Sequence, residues 1–259
     1  MLLGVNIDHI AVLREARQIN DPNPLDALGI CKRAGADQIT IHLREDRRHI
    51  HDRDAINIIE QSSLPVNLEC SINDEIIEIV KKLKPHRVTL VPENRTEVTT
   101  EGGLDLAGNF KQLQKTIKVL HSCEIDVSLF IDPTKEMIRL SKELEVEWCE
   151  LHTGTFANIY AMLYSGLDKT HHSIKELELS RDELKTRLKK SIKSIKKSSK
   201  LANKLGLKVA AGHGLNYQNV TEILDIKEII ELNIGQSIIA RSVFTGLESA
   251  ILDMKEIIN

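Results

Sequence analysis

One unit recurs eight times along this chain: a short apolar run rich in β-branched residues, a polar turn, and usually a stretch with helical spacing. The runs are LLGVNID (2–8), QITIHL (38–43), VNLEC (66–70), RVTLVP (87–92), DVSLFI (126–131), WCELHT (148–153), KVAAGH (208–213) and IIELNIG (229–235). Each reads as apolar on both faces for most of its length, the signature of a strand in a parallel sheet covered on both sides. Eight such units in 259 residues match the count and size of a single (β/α)8 (TIM) barrel domain spanning 1–259, with extra helices. The rival, a doubly wound open sheet, would normally carry a Gly-rich GxGxxG turn after its first strand, and NIDHIAVLR has none.

Between the runs, 73–83 (NDEIIEIVKKL) and 133–144 (PTKEMIRLSKEL) have helical spacing and begin with residues suited to helix starts. The longest gap, between strands six and seven, is expected to hold an insertion. There 155–180 reads as an added helix or lid, and Leu184, Leu188, Ile192, Ile195, Ala202 and Leu205 mark a helix beyond it. Eight Lys/Arg between Lys185 and Lys200 resemble a nucleic-acid patch, but a lysine-rich helix face is ordinarily a solvated one.

Charge is nearly balanced, 35 Lys+Arg against 38 Asp+Glu, which argues against a general nucleic-acid binder. No apolar run approaches the roughly eighteen residues of a membrane span. The first segment reaches Asp8 before a signal-type region forms, so a cytoplasmic protein is expected. Cys31, Cys70, Cys123 and Cys149 lie far apart and read as reduced, mostly buried thiols.

Barrels of this kind place their chemistry at the C-terminal ends of the strands. Here those ends carry Asn6, Asp8 and His9; His42 and Arg44; Asn67 and Glu69; Glu93; Asp132; Glu150, His152 and Thr153; His213 and Gly214; Asn233 and Gly235. Residues two apart share a strand face, so Asn6 with Asp8, His42 with Arg44, Asn67 with Glu69, and Glu150 with His152 are expected to point into the mouth together. Desolvating so many polar groups at one end costs free energy unless they are used or paired. Histidines and carboxylates gathered there suit a reaction with several proton transfers. Metal catalysis is not expected: the pair at strand one is Asp8-His9, adjacent where an HxH pair would serve, and His49-Ile50-His51 lies among arginines. No strand end carries a lysine, which disfavours a Schiff base on the protein. Any imine chemistry then needs an amine brought by substrate.

Three regions suit phosphate. AGHGL (211–215) and NIGQS (233–237) are Gly-containing turns after strands seven and eight, where barrels bind phosphate on backbone N–H groups. The third is HLREDRRHIHDR (42–53), with Arg44, Arg47, Arg48, His49 and Arg53, partly balanced by Asp46 and Asp52; Arg17 could join it. One anionic substrate is implied, or two. The loop 92–105, with Gly102-Gly103, reads as either a lid or an ordered connection.

GVNIDHIAVLREAR (4–17), TIHLREDRRHIHDRD (40–54), LVPENRTEVTTEGGLD (90–105), ELHTG (150–154), AGHGLNYQNV (211–220) and ELNIGQSIIAR (231–241) closely resemble the pyridoxine 5'-phosphate synthases of the deoxyxylulose-dependent vitamin B6 route. The resemblance runs from end to end. It implies an octameric barrel, without a cofactor, that condenses 3-amino-2-oxopropyl phosphate with 1-deoxy-D-xylulose 5-phosphate, giving pyridoxine 5'-phosphate, inorganic phosphate and water. It makes His42 and Glu69 proton acceptors, His213 the proton donor and Glu150 the residue stabilising the transition state. Asn6, Arg17, Gly214, Gly235 and Gln236 would hold the aminoketone phosphate, and Asp8, His9, Arg44, His49 and Thr99 the deoxyxylulose phosphate. Two departures stand out: Gln236 replaces the family's usual His, and 160–190 looks longer than the family pattern. Read from residues alone, another phosphate-handling barrel aldolase or isomerase, or a non-catalytic phospho-sugar sensor, stays open.

Overall fold

The computed structural model describes residues 1–93 and 102–259. Eight parallel strands close into a barrel in chain order. They are β1 (Leu2–Asn6), β2 (Gln38–His42), β3 (Val66–Cys70), β4 (Arg87–Leu90), β5 (Asp126–Ile131), β6 (Trp148–His152), β7 (Lys208–Gly212) and β8 (Ile229–Ile234). The outer layer consists of α1 (Asp8–Glu15), α2 (Asp26–Arg33), α3 (Asp52–Gln61), α4 (Asp74–Leu83), α5 (Phe110–Ser122) and α6 (Lys135–Glu143), then α7 (Gly154–Tyr164), α8 (Arg181–Lys204), α9 (Gln236–Thr245) and α10 (Leu247–Ile258).

The expected starts hold with small shifts. Asn73 caps α4, its side chain accepting from the Glu75 N–H at 2.9 Å. Thr134, just after Pro133, caps α6 through the Met137 N–H. Between β7 and β8 the connection is only a 3-10 turn, Val220–Ile223, so that unit lacks an α-helix. The segment between β6 and β7 forms α7, two 3-10 turns and α8. Leu184, Leu188, Ile195 and Ala202 of α8 are buried, while all eight cationic side chains from Lys185 to Lys200 are exposed.

The strands differ from the expectation in one respect that shapes the site: they are not apolar on both faces. Register places Gln38, Thr40, Asn67, Arg87, Thr89, Ser128, Glu150, Glu231 and Asn233 on the inner face. The outer face carries Leu3, Val5, Ile39, Ile41, Leu68, Val88, Leu129 and Leu151, all buried under helices. The hydrophobic core therefore lies between sheet and helices, and the barrel interior is a hydrogen-bonded polar layer. Burial on both sides favours polar groups that are paired, and here most of the inner ones pair with one another, while Asn67 Nδ2 has no hydrogen-bond partner.

At the floor, Arg87 donates to Glu231 and, at 2.9 Å, to Gln38 Oε1. Its guanidinium also lies 4.2 Å from the centre of the Trp148 ring. Thr89 Oγ1 donates to Asn67 Oδ1 at 2.8 Å. The four cysteines are free, and burial pushes the thiols of Cys31 and Cys149 up to about 12, so both stay protonated near neutrality. Among the described residues no helix is long and apolar enough to cross a membrane.

Candidate active site

A cavity of about 460 Å³ opens at the C-terminal ends of the strands. Its wall includes Asn6, Asp8, His9, His42, Arg44, His49, Glu69, Glu150, His213, Gly214, Gly235 and Gln236. That is every residue expected at the site except Arg17, exposed in the turn after α1, and Thr99, which lies outside the described residues with most of the 92–105 loop.

The strand-one reading needs one correction. β1 ends at Asn6, and Asp8 and His9 form the first turn of α1. Strand parity does not apply to them, and both line the cavity. Asn6 makes this turn: its Oδ1 accepts from the Asp8 N–H at 3.0 Å and its Nδ2 donates to Asp8 Oδ2 at 2.8 Å. Asp8 Oδ1 in turn accepts from the His42 N–H at 2.9 Å, which ties α1 to the end of β2. Gly235 is required here, because a Cβ on it would stand 2.8 Å from Asn6 Cβ.

His42 and Glu69 are direct partners across the β2–β3 ladder. His42 Nε2 lies 3.3 Å from Glu93 Oε1, and Glu93 is held ionised by His42 and the Glu45 N–H although burial opposes its charge. Glu69 sits among protein groups yet keeps part of its surface open to the cavity. Burial first, then the charges of Glu150 and Asp8, raise its carboxyl well above the ordinary range, with Arg87 opposing. Glu150 is 2% exposed, and burial with the charge of Glu231 pushes it up to about 7, against Asn233 and Arg87. Two carboxyls held above the ordinary carboxylate range, beside histidines, are groups that can give and take protons.

His213 follows β7 with φ +76°, a left-handed conformation rare outside glycine. Thr153 Oγ1 holds it there by donating to the carbonyls of His213 (2.6 Å) and Gly212 (2.7 Å). His152 does not turn into the mouth beside Glu150. Its Nδ1 lies 3.2 Å from Asp132 Oδ1, and its ring packs edge-on against His213, centroids 5.1 Å apart. Phe130 packs against both rings.

On the opposite wall, α1 clamps the 44–54 segment. Arg14 donates to both Asp54 carboxylate oxygens, at 2.9 and 2.7 Å, and to the His49 carbonyl at 2.8 Å. Buried His49 uses Nδ1 to accept from the Ile50 N–H at 2.8 Å, so its neutral form carries the proton on Nε2. Arg47 and Arg48 pair with Asp52 and Asp46, both at 2.6 Å, the balanced reading of this cluster. Arg44, 5% exposed and 3.8 Å from Asp46 Oδ1, lines the cavity as well. Gly214 and the start of α9 at Gln236 bring backbone N–H groups to a third side, a suitable seat for an anion.

Several wall residues escaped the sequence reading. Asn158 comes from α7, a helix that strand-end bookkeeping does not inspect, and Phe130 faces inward on β5. Asn233 was visible at a strand end, but only the register shows it meeting Glu150.

A closed barrel with an acid–base mouth flanked by cationic and backbone-amide walls defines an enzyme that works on small anionic substrates. The chain belongs to the PdxJ family: residues 3–259 match the family described as pyridoxal phosphate biosynthesis protein PdxJ. It is 81% identical over 258 residues to the pyridoxine 5'-phosphate synthase of Aliarcobacter butzleri, covering 100% of this chain and 99% of that protein. It is 67% identical over 258 residues to the same-named protein of a Sulfurovum species, covering both completely. These relatives align at matching length, so 160–190 is no addition relative to them. Among solved structures, the tryptophan synthase A-subunit of Pyrococcus furiosus superposes with TM-score 0.59 at 12% identity, covering 98% of this chain and 97% of that one, a likeness of fold alone.

Proposed function

We propose that this chain is a pyridoxine 5'-phosphate synthase, joining 3-amino-2-oxopropyl phosphate to 1-deoxy-D-xylulose 5-phosphate. Atom balance gives pyridoxine 5'-phosphate, one inorganic phosphate and two waters. The observation that carries the reading is one cavity walled by His42, Glu69, Glu150 and His213, with phosphate-suited walls on two sides, in a chain 81% identical to a protein of that name.

In this reading the substrate amine attacks the sugar ketone, water leaves, phosphate is eliminated, and an aldol-type closure precedes aromatisation. Glu69, its basicity raised by burial, and His42 accept protons, and His213 donates one. Glu150 stabilises the charge that develops between them. Asp8, His9, Arg44 and His49 hold the deoxyxylulose phosphate; Asn6, Gly214, Gly235 and Gln236 hold the aminoketone phosphate. Gln236 is exposed at the first position of α9, where its backbone serves phosphate whatever the side chain. Arg17, outside the cavity wall, and Thr99 are left without an assignment.

The protein works in the cytoplasm as a homo-octamer, with no nucleic-acid or membrane partner. Free, mostly buried cysteines support the compartment. Phe244, 90% exposed beside Val243 at 67%, supports self-association. The test is growth: the gene should rescue a bacterium unable to make vitamin B6 by this route, and Glu69→Gln should not. Failure of the well-expressed, folded wild-type protein would overturn the reading.

A further inference from the structure

Below the mouth, one amide joins the catalytic layer to the barrel floor. Asn233 Nδ2 donates to Glu150 Oε2 at 2.8 Å and to Glu231 Oε1 at 3.2 Å. Its Oδ1 faces the donors Thr40 Oγ1 (3.3 Å) and Gln38 Nε2 (3.4 Å), so the amide has one satisfied orientation. Glu231 is fixed by Arg87 and by Gln38 Nε2. Glu150 Oε2 is thereby committed as an acceptor. Oε1 lies beside Gly212, where a Cβ would approach to 2.2 Å, which leaves that oxygen as the one that can take a proton.

We propose that Glu231 and Arg87, acting through Asn233, are positioning residues that hold Glu150 with Oε2 accepting and Oε1 free to exchange a proton with substrate. The role toward substrate rests on the function proposed above; the positioning itself does not. The charged groups facing Glu150 are Glu231 of β8, Glu69 of β3 and Arg87 of β4, while β5 presents neutral Phe130 and β7 Ala210 and Gly212. Glu231 and Asn233 act on Glu150 with opposite signs. The Glu231 charge disfavours the carboxylate, whereas the Asn233 N–H favours it.

The test follows the carboxylic-acid C=O infrared band of the free protein against pH, with the Glu150 component assigned by its loss in Glu150→Gln. Glu231→Gln should lower the Glu150 midpoint by about one pH unit or more. Asn233→Ser should raise it, and Glu231→Asp, which keeps the charge, should stay near wild type. Equal or same-direction shifts in Glu231→Gln and Asn233→Ser, or none, would overturn the proposal, since general loosening of the barrel has no reason to produce opposite signs. If Glu231→Gln fails to fold by circular dichroism, Asn233→Ser decides alone: a raised midpoint supports positioning and an unmoved one refutes it. Because no substrate is present, opposite shifts in a protein without turnover would keep the positioning and sink the synthase reading.

Discussion

His42 stands directly opposite Glu69 in the register of β2 and β3, which sets two proton acceptors side by side on the inner face of the barrel mouth. His42 is held by Glu93 and by the Asp8 contact to its backbone, while Glu69 keeps part of its surface open to the cavity. Replacing either, as Glu69→Gln or His42→Asn, should lower kcat by about 10²–10⁴-fold with a much smaller change in KM. Steady-state kinetics on both variants checks this. An effect confined to KM would remove the proton-transfer role.

Glu150 predicts a pH-dependent stability. Its value is about 7 in the fold against an ordinary 4.5, so between these pH values the folded chain keeps a proton that the unfolded chain has lost. Glu150 therefore lowers stability progressively as pH rises from 4.5 to 7, with the full cost present above 7. Glu150→Gln should melt higher than wild type at pH 8, and the difference should shrink toward pH 4.5. A difference independent of pH would show that Glu150 ionises normally.

The Arg14–Asp54 pair holds the segment that carries Arg44 and His49. Asp54→Ala removes the two-pronged partner of the buried Arg14 guanidinium, which keeps only Glu15 and the His49 carbonyl, and should cost about 2 kcal/mol in denaturant unfolding. Arg14 holds the Asp54 carboxyl below its ordinary range despite burial, so this contribution is present above that range and is lost as pH falls through the lowered value. Arg44→Ala should leave the fold intact and raise KM for the deoxyxylulose phosphate. An unchanged KM would remove Arg44 from the phosphate site.

Gly235→Ala would push a methyl group against Asn6. Asn6 shapes the start of α1, so the variant should lower kcat/KM by at least about 10-fold through misplacement of Asp8. A crystal structure of the variant with Asn6 unmoved would contradict this.

Phe244→Asp should shift the assembly toward smaller species in sedimentation velocity without altering the far-ultraviolet spectrum. An unchanged sedimentation profile would place the subunit contacts elsewhere.

The barrel was legible because the eight runs keep a period that turns and helices punctuate. The mouth was legible because the strand ends carry the residues that now wall the cavity. What the sequence hid has physical causes. A strand buried on both faces can be polar inside if its side chains pair across the barrel, so Arg87 and Glu231 gave no sign of facing inward. Partners such as Arg14 and Asp54, forty residues apart, meet only once closure of the barrel brings the end of α1 within side-chain reach of the start of α3. The end of β1 was misread because the Asn6 side chain, and not the apolar pattern, decides where α1 begins.

Turnover by the purified protein, in the presence of a chelator and both phosphorylated substrates, tests the central claim most directly, with pyridoxine phosphate absorbance and phosphate release followed together. The account predicts equal molar appearance of the two products, dependent on both substrates. Phosphate release without the ring product, or silence in both channels from folded protein, would contradict it.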